Sequence, residues 1–293
     1  MKKNHRNLIL SLLLMIVLLA PVSCAGKTPD ETPTPTLEPT PTEAPMAAHV
    51  NGEGILLAEY EAEMQRYQAA LQATGETFDP AAASQEVMDE LIDQTLLAQA
   101  AAAQNYSVDE AALQARIDEL AGEIGGSEAL QTWMAQNFYN EESFRLALRR
   151  DMAATWMRNQ LIAAVPTAVE QVHARQILLE DQSEAENVLR QLQAGTAFDT
   201  LAYEYDALTG GELGWFPHGY LLQPDVENTA FSLEAGGYSG IISTSYGYHI
   251  VQVIEKDAQH ALSPDALLFT QRQALESWLE QQRSQSTIEL SIP

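Results

Sequence analysis

The chain has 293 residues, enough for one large domain or two or three small ones with a packed core. Its 41 acidic against 15 basic residues leave a formal net charge of −26, which argues against a nucleic-acid surface because phosphate binding needs clustered Lys and Arg. The one cysteine, Cys24, excludes a disulfide within the chain, so stability must come from packing.

Residues 1–24 read as an export signal. Lys2, Lys3 and Arg6 open it, and the run from Leu8 to Ala20 is almost wholly apolar, short of the about 20 residues a spanning helix needs. Pro21-Val22-Ser23 leads directly into Cys24, which resembles a lipobox except at Pro21, where an aliphatic residue is usual. Either Cys24 is lipidated and becomes the mature N-terminus, or ordinary signal-peptidase cleavage falls nearby, for example after Ala25. Lipidation is the preferred expectation, since a lone thiol in an exported chain otherwise lacks a purpose. It places the protein outside the cytoplasm, anchored to the membrane as a lipoprotein. Residues 25–47 are dominated by Thr, Pro and Glu, cannot bury an apolar face, and read as an extended tether.

Residues 48–166 read as helical. Tyr60, Met64, Tyr67 and Leu71 recur every three or four positions, and Val87, Met88, Leu91, Ile92 and Leu96 form a second, wider face. Ser107 with Glu110 makes a capping box for a third helix carrying Leu113, Ile117, Leu120 and Ile124. Gly125-Gly126 ends it. Ser127 is the expected cap of a fourth helix, and Asn140 that of a fifth presenting Phe144, Leu148, Met152 and Trp156. Val165-Pro166 breaks the pattern and marks the boundary. One packed all-α domain is the simplest product.

Residues 167–257 change character. Val172 to Leu179 is a short apolar, β-branched run that reads as a strand, and Tyr246 to Ile254 is another. Between them lie Gly210-Gly211-Glu212-Leu213-Gly214-Trp215-Phe216, an apolar-punctuated helix ending near Phe231, and a Gly236-Gly237 turn. Strand, two helices, strand, helix and two strands make a small α+β layout. From Ser263 and Pro264 the chain turns helical again, with Leu268, Leu275, Trp278 and Leu279 on one face and a possible strand at 287–290. One amphipathic helix cannot bury its own face, so residues 258–293 are expected to dock on the helical domain.

Gly-Glu-Leu-Gly-Trp-Phe, Phe231-Ser232-Leu233 and Gly-Tyr-His-Ile-Val-Gln-Val, in this order, resemble the parvulin (PpiC-type) peptidyl-prolyl cis/trans isomerases. Val50-Asn51-Gly52-Glu53 and the helices that follow are similar to the N-terminal chaperone domain of SurA-type and PrsA-type foldases. The fold implied is α+β: an all-α domain completed by a C-terminal helix, plus a parvulin-like domain with a four-stranded sheet. The partners implied are unfolded or proline-containing polypeptide clients.

Rotation about a prolyl bond crosses a barrier of roughly 18–20 kcal/mol and needs no nucleophile, metal or cofactor. It needs a dry pocket for the proline ring and polar groups that favour the twisted amide. The resemblance implies Leu213, Leu222, Val226 and Phe231 for the pocket, with core packing as the plain alternative for each. It implies His249, Gln176, Asp206 and Thr244 for the polar network. Gln176 stands where the family has a histidine, and His173, three residues earlier, falls on the opposite strand face by period-two counting. Asp206 lies in a shortened loop, where a helix-end role competes with a place in the network. The loop after the first strand lacks the basic cluster of phosphate-directed parvulins. The histidines show no metal-ligand spacing, and neither a Walker-type loop nor a Gly-x-Ser-x-Gly elbow occurs. The competing expectation is a holdase chaperone whose isomerase unit has lost catalysis.

Overall fold

The structure, a computed structural model, describes residues 44–292. The export signal, Cys24 and most of the Thr/Pro-rich tether lie outside the described residues. Two compact units emerge, one holding the described residues to Met157 and those from Leu279 onward, the other Arg158–Trp278.

In the first unit, helices α1 (Leu57–Thr74), α2 (Pro80–Ala103), α3 (Glu110–Ile124), α4 (Ser127–Gln136) and most of α5 (Glu141–Ala163) follow the apolar periodicity. The caps differ in part from expectation. Asp109, not Ser107, caps α3 by accepting from Ala112 N at 2.7 Å, because aspartate two residues later lies in better reach of the first turn. Gly126, not Ser127, is the N-cap of α4, which leaves that helix without a side-chain cap. Asn140 does cap α5, through a reciprocal pair of backbone-to-side-chain bonds with Ser143.

The helical unit also carries a sheet that an all-α expectation omits. Strands β1 (Met46–Val50) and β2 (Glu53–Leu56) form a hairpin, and the short strand Ile288–Leu290 pairs with the other edge of β1. The stripe of Val87, Met88, Leu91, Ile92 and Leu96 on α2 packs on Ala48, Val50 and Ile55 of this sheet. Arg283 secures the C-terminal segment, donating to Asp93 and Asp89 at 2.7 Å each.

The second unit runs β3 (Ala168–Leu179), α6 (Gln182–Gln193), α7 (Phe198–Tyr205), β4 (Glu212–Pro217), α8 (Pro224–Ser232), β5 (Ile242–Thr244) and β6 (Gly247–Ala261). Its antiparallel sheet has the order β4-β3-β6-β5. Alternation along β3 sends Ile177 and Leu179 to one face, where they meet α6 and α7 through Val188, Leu192, Phe198 and Leu201. Val172 and Ala174 point to the other face and meet α8 through Val226 and Ala230. Each fully buried Val, Ile or Phe contributes about 1.5–3 kcal/mol, against about 1 kcal/mol for a hydrogen bond. These two apolar layers, not the polar network described below, therefore hold the unit together.

Helix α9 (Pro264–Gln285) begins as its sequence suggests, with Ser263 Oγ accepting from Ala266 N at 3.2 Å. The expectation that it docks whole on the helical domain meets a division. Residues up to Trp278 cluster with the sheet unit, where Phe269 meets Tyr220 edge-on, and those from Leu279 cluster with the helices. Among the described residues no helix is long and apolar enough to cross a membrane.

Candidate functional site

The α8 face of the second sheet carries a chain of hydrogen bonds. Gln176 follows Val172 and Ala174 at period two, and its register partner is Val251; His249 pairs with Leu178 on β3 and Ile242 on β5. Opposed residues share a face, so all these side chains lie on the same side. His249 is 1% exposed. Its Nδ1 stands 2.8 Å from Gln176 Oε1 and its Nε2 stands 2.8 Å from Thr244 Oγ1.

The donors follow from the chemistry of the groups. An amide oxygen only accepts, so His249 Nδ1 carries the proton and donates to Gln176. Burial holds the imidazole below its ordinary pKa, which favours the neutral ring and leaves a lone pair on Nε2. The Thr244 hydroxyl therefore donates to Nε2, and its oxygen accepts the Tyr246 backbone N–H at 3.1 Å. The hydrogen bond of the Gln176 side chain is made by its Oε1, its NH2 has no hydrogen-bond partner among the described residues, and Gln176 is half-buried rather than enclosed. One polar donor is thus left at the surface of an otherwise satisfied network.

Asp206 does not touch His249. It ends α7, and its carboxylate accepts from the backbone N–H groups of Leu208, Thr209 and Gly211 and from the Thr209 hydroxyl. The Thr209 hydroxyl first, then those N–H groups, hold its pKa down to about 2. Its link to the network is indirect. Gly211, fixed by Asp206, accepts the Gln176 backbone N–H at 2.8 Å through its carbonyl.

The four apolar positions fare unequally. Leu213 has no register partner, because the pairing of β3 with β4 slips between Ala174 and Arg175; this bulge turns Leu213 into the α8-side cluster. Phe231 packs on the same cluster, edge-on to Phe216 at 6.0 Å and stacked on His218 at 3.5 Å. Val226 is 1% exposed, so its side chain is core and presents no surface to a ligand. Leu222 is 85% exposed and stands outside the cluster, whereas its neighbour Leu221 packs on it. The reason is local: α8 starts at Pro224, and its inward positions are Val226 and Ala230, leaving Leu222 on the preceding loop.

Glu227 holds that loop and was missed by sequence reasoning. It is buried, and its two carboxylate oxygens accept from Gly219 N at 2.6 Å and Leu221 N at 2.8 Å. The available signal was an acidic residue in a first helical turn behind a proline, placed to reach back to loop amides. His173 lies on the far face, as period-two counting requires, where it stacks on Trp215 and bonds Glu212 at 2.5 Å. Among the described residues no group of three or more His, Cys, Asp or Glu side chains could hold a metal ion.

The chain is similar to known proteins over most of its length. The SurA-like N-terminal domain family matches residues 1–158, and the PPIC-type PPIASE domain family matches residues 160–257. Foldase protein PrsA of Caldanaerobacter subterraneus subsp. tengcongensis is 27% identical over 267 residues, 85% of this chain and 82% of that one. Chaperone SurA of Burkholderia thailandensis is 32% identical over 152 residues, 45% of this chain and 34% of that one. Among solved structures, peptidylprolyl isomerase PrsA of Bacillus cereus aligns with a TM-score of 0.46 at 19% identity, covering 82% of this chain and 90% of that one.

Proposed function

Because this chain belongs to the family with a SurA-like N-terminal domain and carries a PPIC-type PPIase domain behind it, we propose that it is an exported foldase. It catalyses cis/trans isomerisation of X-Pro bonds in unfolded or secreted polypeptides. The observation that carries this reading is the Thr244–His249–Gln176 hydrogen-bond chain ending in an unpartnered amide donor, beside the apolar wall of Leu213 and Phe231.

A planar amide spreads its nitrogen lone pair into the carbonyl, and rotation returns that pair to nitrogen. The apolar wall grips the proline ring and disfavours the charge-separated planar form. The Gln176 NH2 donates a hydrogen bond to the twisting amide, and His249 fixes the orientation of that donor by binding the other end of the Gln176 amide. Such groups accelerate rotation only so far as they bind the twisted form better than the planar one. Asp206 and Gly211 are positioning residues that set the height of Gln176 on β3. Cys24 is proposed as a lipid anchor holding the folded units outside the cytoplasm on the membrane, with residues 25–47 as the tether.

A proline-isomerisation assay on short peptides tests this. The full chain should exceed the uncatalysed rate, and His249→Ala should lower the excess about tenfold, or about 1.4 kcal/mol of barrier. A rate equal to background across several residues preceding proline would overturn the enzyme reading. The second reading, a holdase without catalysis, is favoured by Leu208 and Leu222, which stand 91% and 85% exposed. It expects suppression of client aggregation with no rate above background.

A further inference from the structure

One leucine in the strand that carries Gln176 is placed against the pattern of its neighbours. Ile177 and Leu179 are fully buried, yet Leu178 is 43% exposed on the face that bears the hydrogen-bond network. It is the register partner of His249. Across from it runs the turn between β5 and β6, where Tyr246 is 64% exposed and its backbone N–H is already committed to Thr244. The two side chains flank Gly247: a Cβ there would stand 3.2 Å from Leu178 Cδ1 and 2.4 Å from the Leu179 carbonyl oxygen, so only glycine leaves this approach open.

The register sets the direction of a bound peptide. Leu213 and Val253 lie beside Ala174 on β3, one step before the Gln176–Val251 pair, and Phe231 packs on the same cluster. Leu178 lies level with His249, one step past Gln176, and Gly247 and Tyr246 lie beyond it toward the end of β3. A proline ring against Leu213 and Phe231, with its amide over Gln176, carries the preceding residue across the network toward Leu178 and Tyr246. Exposed Glu180 follows at the strand's end and would repel an acidic side chain there.

We propose that Leu178 and Tyr246 form the subsite for the residue preceding the proline and select an aliphatic or aromatic side chain at that position. This rests on the isomerase reading for the placement of the ring, and its test separates the two. Peptides differing only in Leu, Ala or Glu before proline are offered to the full chain and to Leu178→Ser and Tyr246→Ser. Isomerisation is followed by exchange between cis and trans resonances, and binding by shifts of the protein's backbone amide signals.

Wild type should favour Leu over Ala about tenfold, the discrimination expected of a small apolar pocket, and Glu should rank last. In each variant the loss should fall on the Leu peptide, bringing the Leu-to-Ala ratio toward one. His249→Ala should lower the rates on all three peptides with the ratio kept. If wild type shows no catalysis, the isomerase reading fails, and the same ratio is read from peptide dissociation constants. A ratio near one in wild type, or one that neither variant changes, overturns the subsite whatever the catalytic outcome.

Discussion

The carbonyl of Gly211 accepts the Gln176 backbone N–H at 2.8 Å, and a Cβ on Gly211 would stand 1.8 Å from the Gln176 carbonyl oxygen. Gly211 also holds a φ of +68°, a conformation that L side chains rarely adopt. Close approach and backbone conformation therefore both require glycine. Gly211→Ala should force β3 and the start of β4 apart, cost about 2–4 kcal/mol, and displace Gln176 from His249. Denaturant midpoints and the His249 ring resonances measure both effects. An unchanged midpoint with an unchanged ring environment would show that the backbone has room to yield.

Much of this site was legible because its marks are local. The first Gly-rich run and the Gly-Tyr-His run each name a strand start and a turn, and the order of pieces then follows from short connections. What was not legible depends on register and on distant partners. Leu222 and Val226 differ by four residues in sequence, yet one stands in solvent and the other in the core, because the phase of α8 is set by where Pro224 starts it. The sheet of the helical unit pairs Ala48 with Leu290, a contact across almost the whole folded chain. Met46 to Val50 contains two alanines and no clean alternation, so nothing local announces it as a strand.

In the sheet unit His249 and Asp206 both have lowered pKa values for opposite reasons: burial penalises the charged ring, whereas hydrogen bonds favour the charged carboxylate. Burial depresses the His249 pKa, whereas in the unfolded chain the ring titrates near about 6.5. Above that pH neither state binds the proton. As pH falls through it, the unfolded chain takes up a proton that the folded one refuses, so stability declines until the folded ring protonates as well. Asp206 acts lower. Its contribution is present above about 3.9, the unfolded value, and is lost as pH falls toward about 2. Wild type should therefore lose more stability between pH 7 and 5 than His249→Asn does. Equal slopes in urea titrations at the two pH values would show that the folded ring protonates freely.

Arg283 ties the last helix to α2 with three hydrogen bonds of 2.7 Å, to Asp93, to the Asp89 carboxylate and to the Asp89 carbonyl. Those bonds position Ser286 and Thr287 to meet Asn51, and so bring Ile288–Leu290 onto β1. Arg283→Ala should cost about 1–3 kcal/mol, the range for charge-assisted bonds that lose their donor. It should also speed hydrogen exchange at Asn51 N–H, which donates to the Thr287 carbonyl. Protection at Asn51 equal to wild type would mean that the strand docks without the arginine.

The helical unit buries one ion pair whose removal should depend on how it is removed. Arg150 is 7% exposed and meets Glu59 Oε1 at 2.5 Å, while Glu59 Oε2 is buried without a partner. Burial raises the Glu59 pKa, and the opposing charge of Arg150 offsets part of that rise. Arg150→Met strips the offset and leaves a buried carboxyl alone, which should cost about 3–5 kcal/mol at pH 7. Glu59→Leu together with Arg150→Met removes the desolvation cost with the pair, and should land near wild type or above it by about 1–4 kcal/mol. Acid gives the sign. A carboxyl with a raised folded pKa contributes stability that is whole below its unfolded value of about 4.3 and declines as pH rises toward the folded one. In Arg150→Met the folded value moves higher, so acidification should recover stability in that single variant more than in the double. Urea midpoints for the four members of the cycle at pH 7 and pH 5 decide it. A double variant as unstable as the single would mean that the pair itself, not the isolated charge, sets the energy.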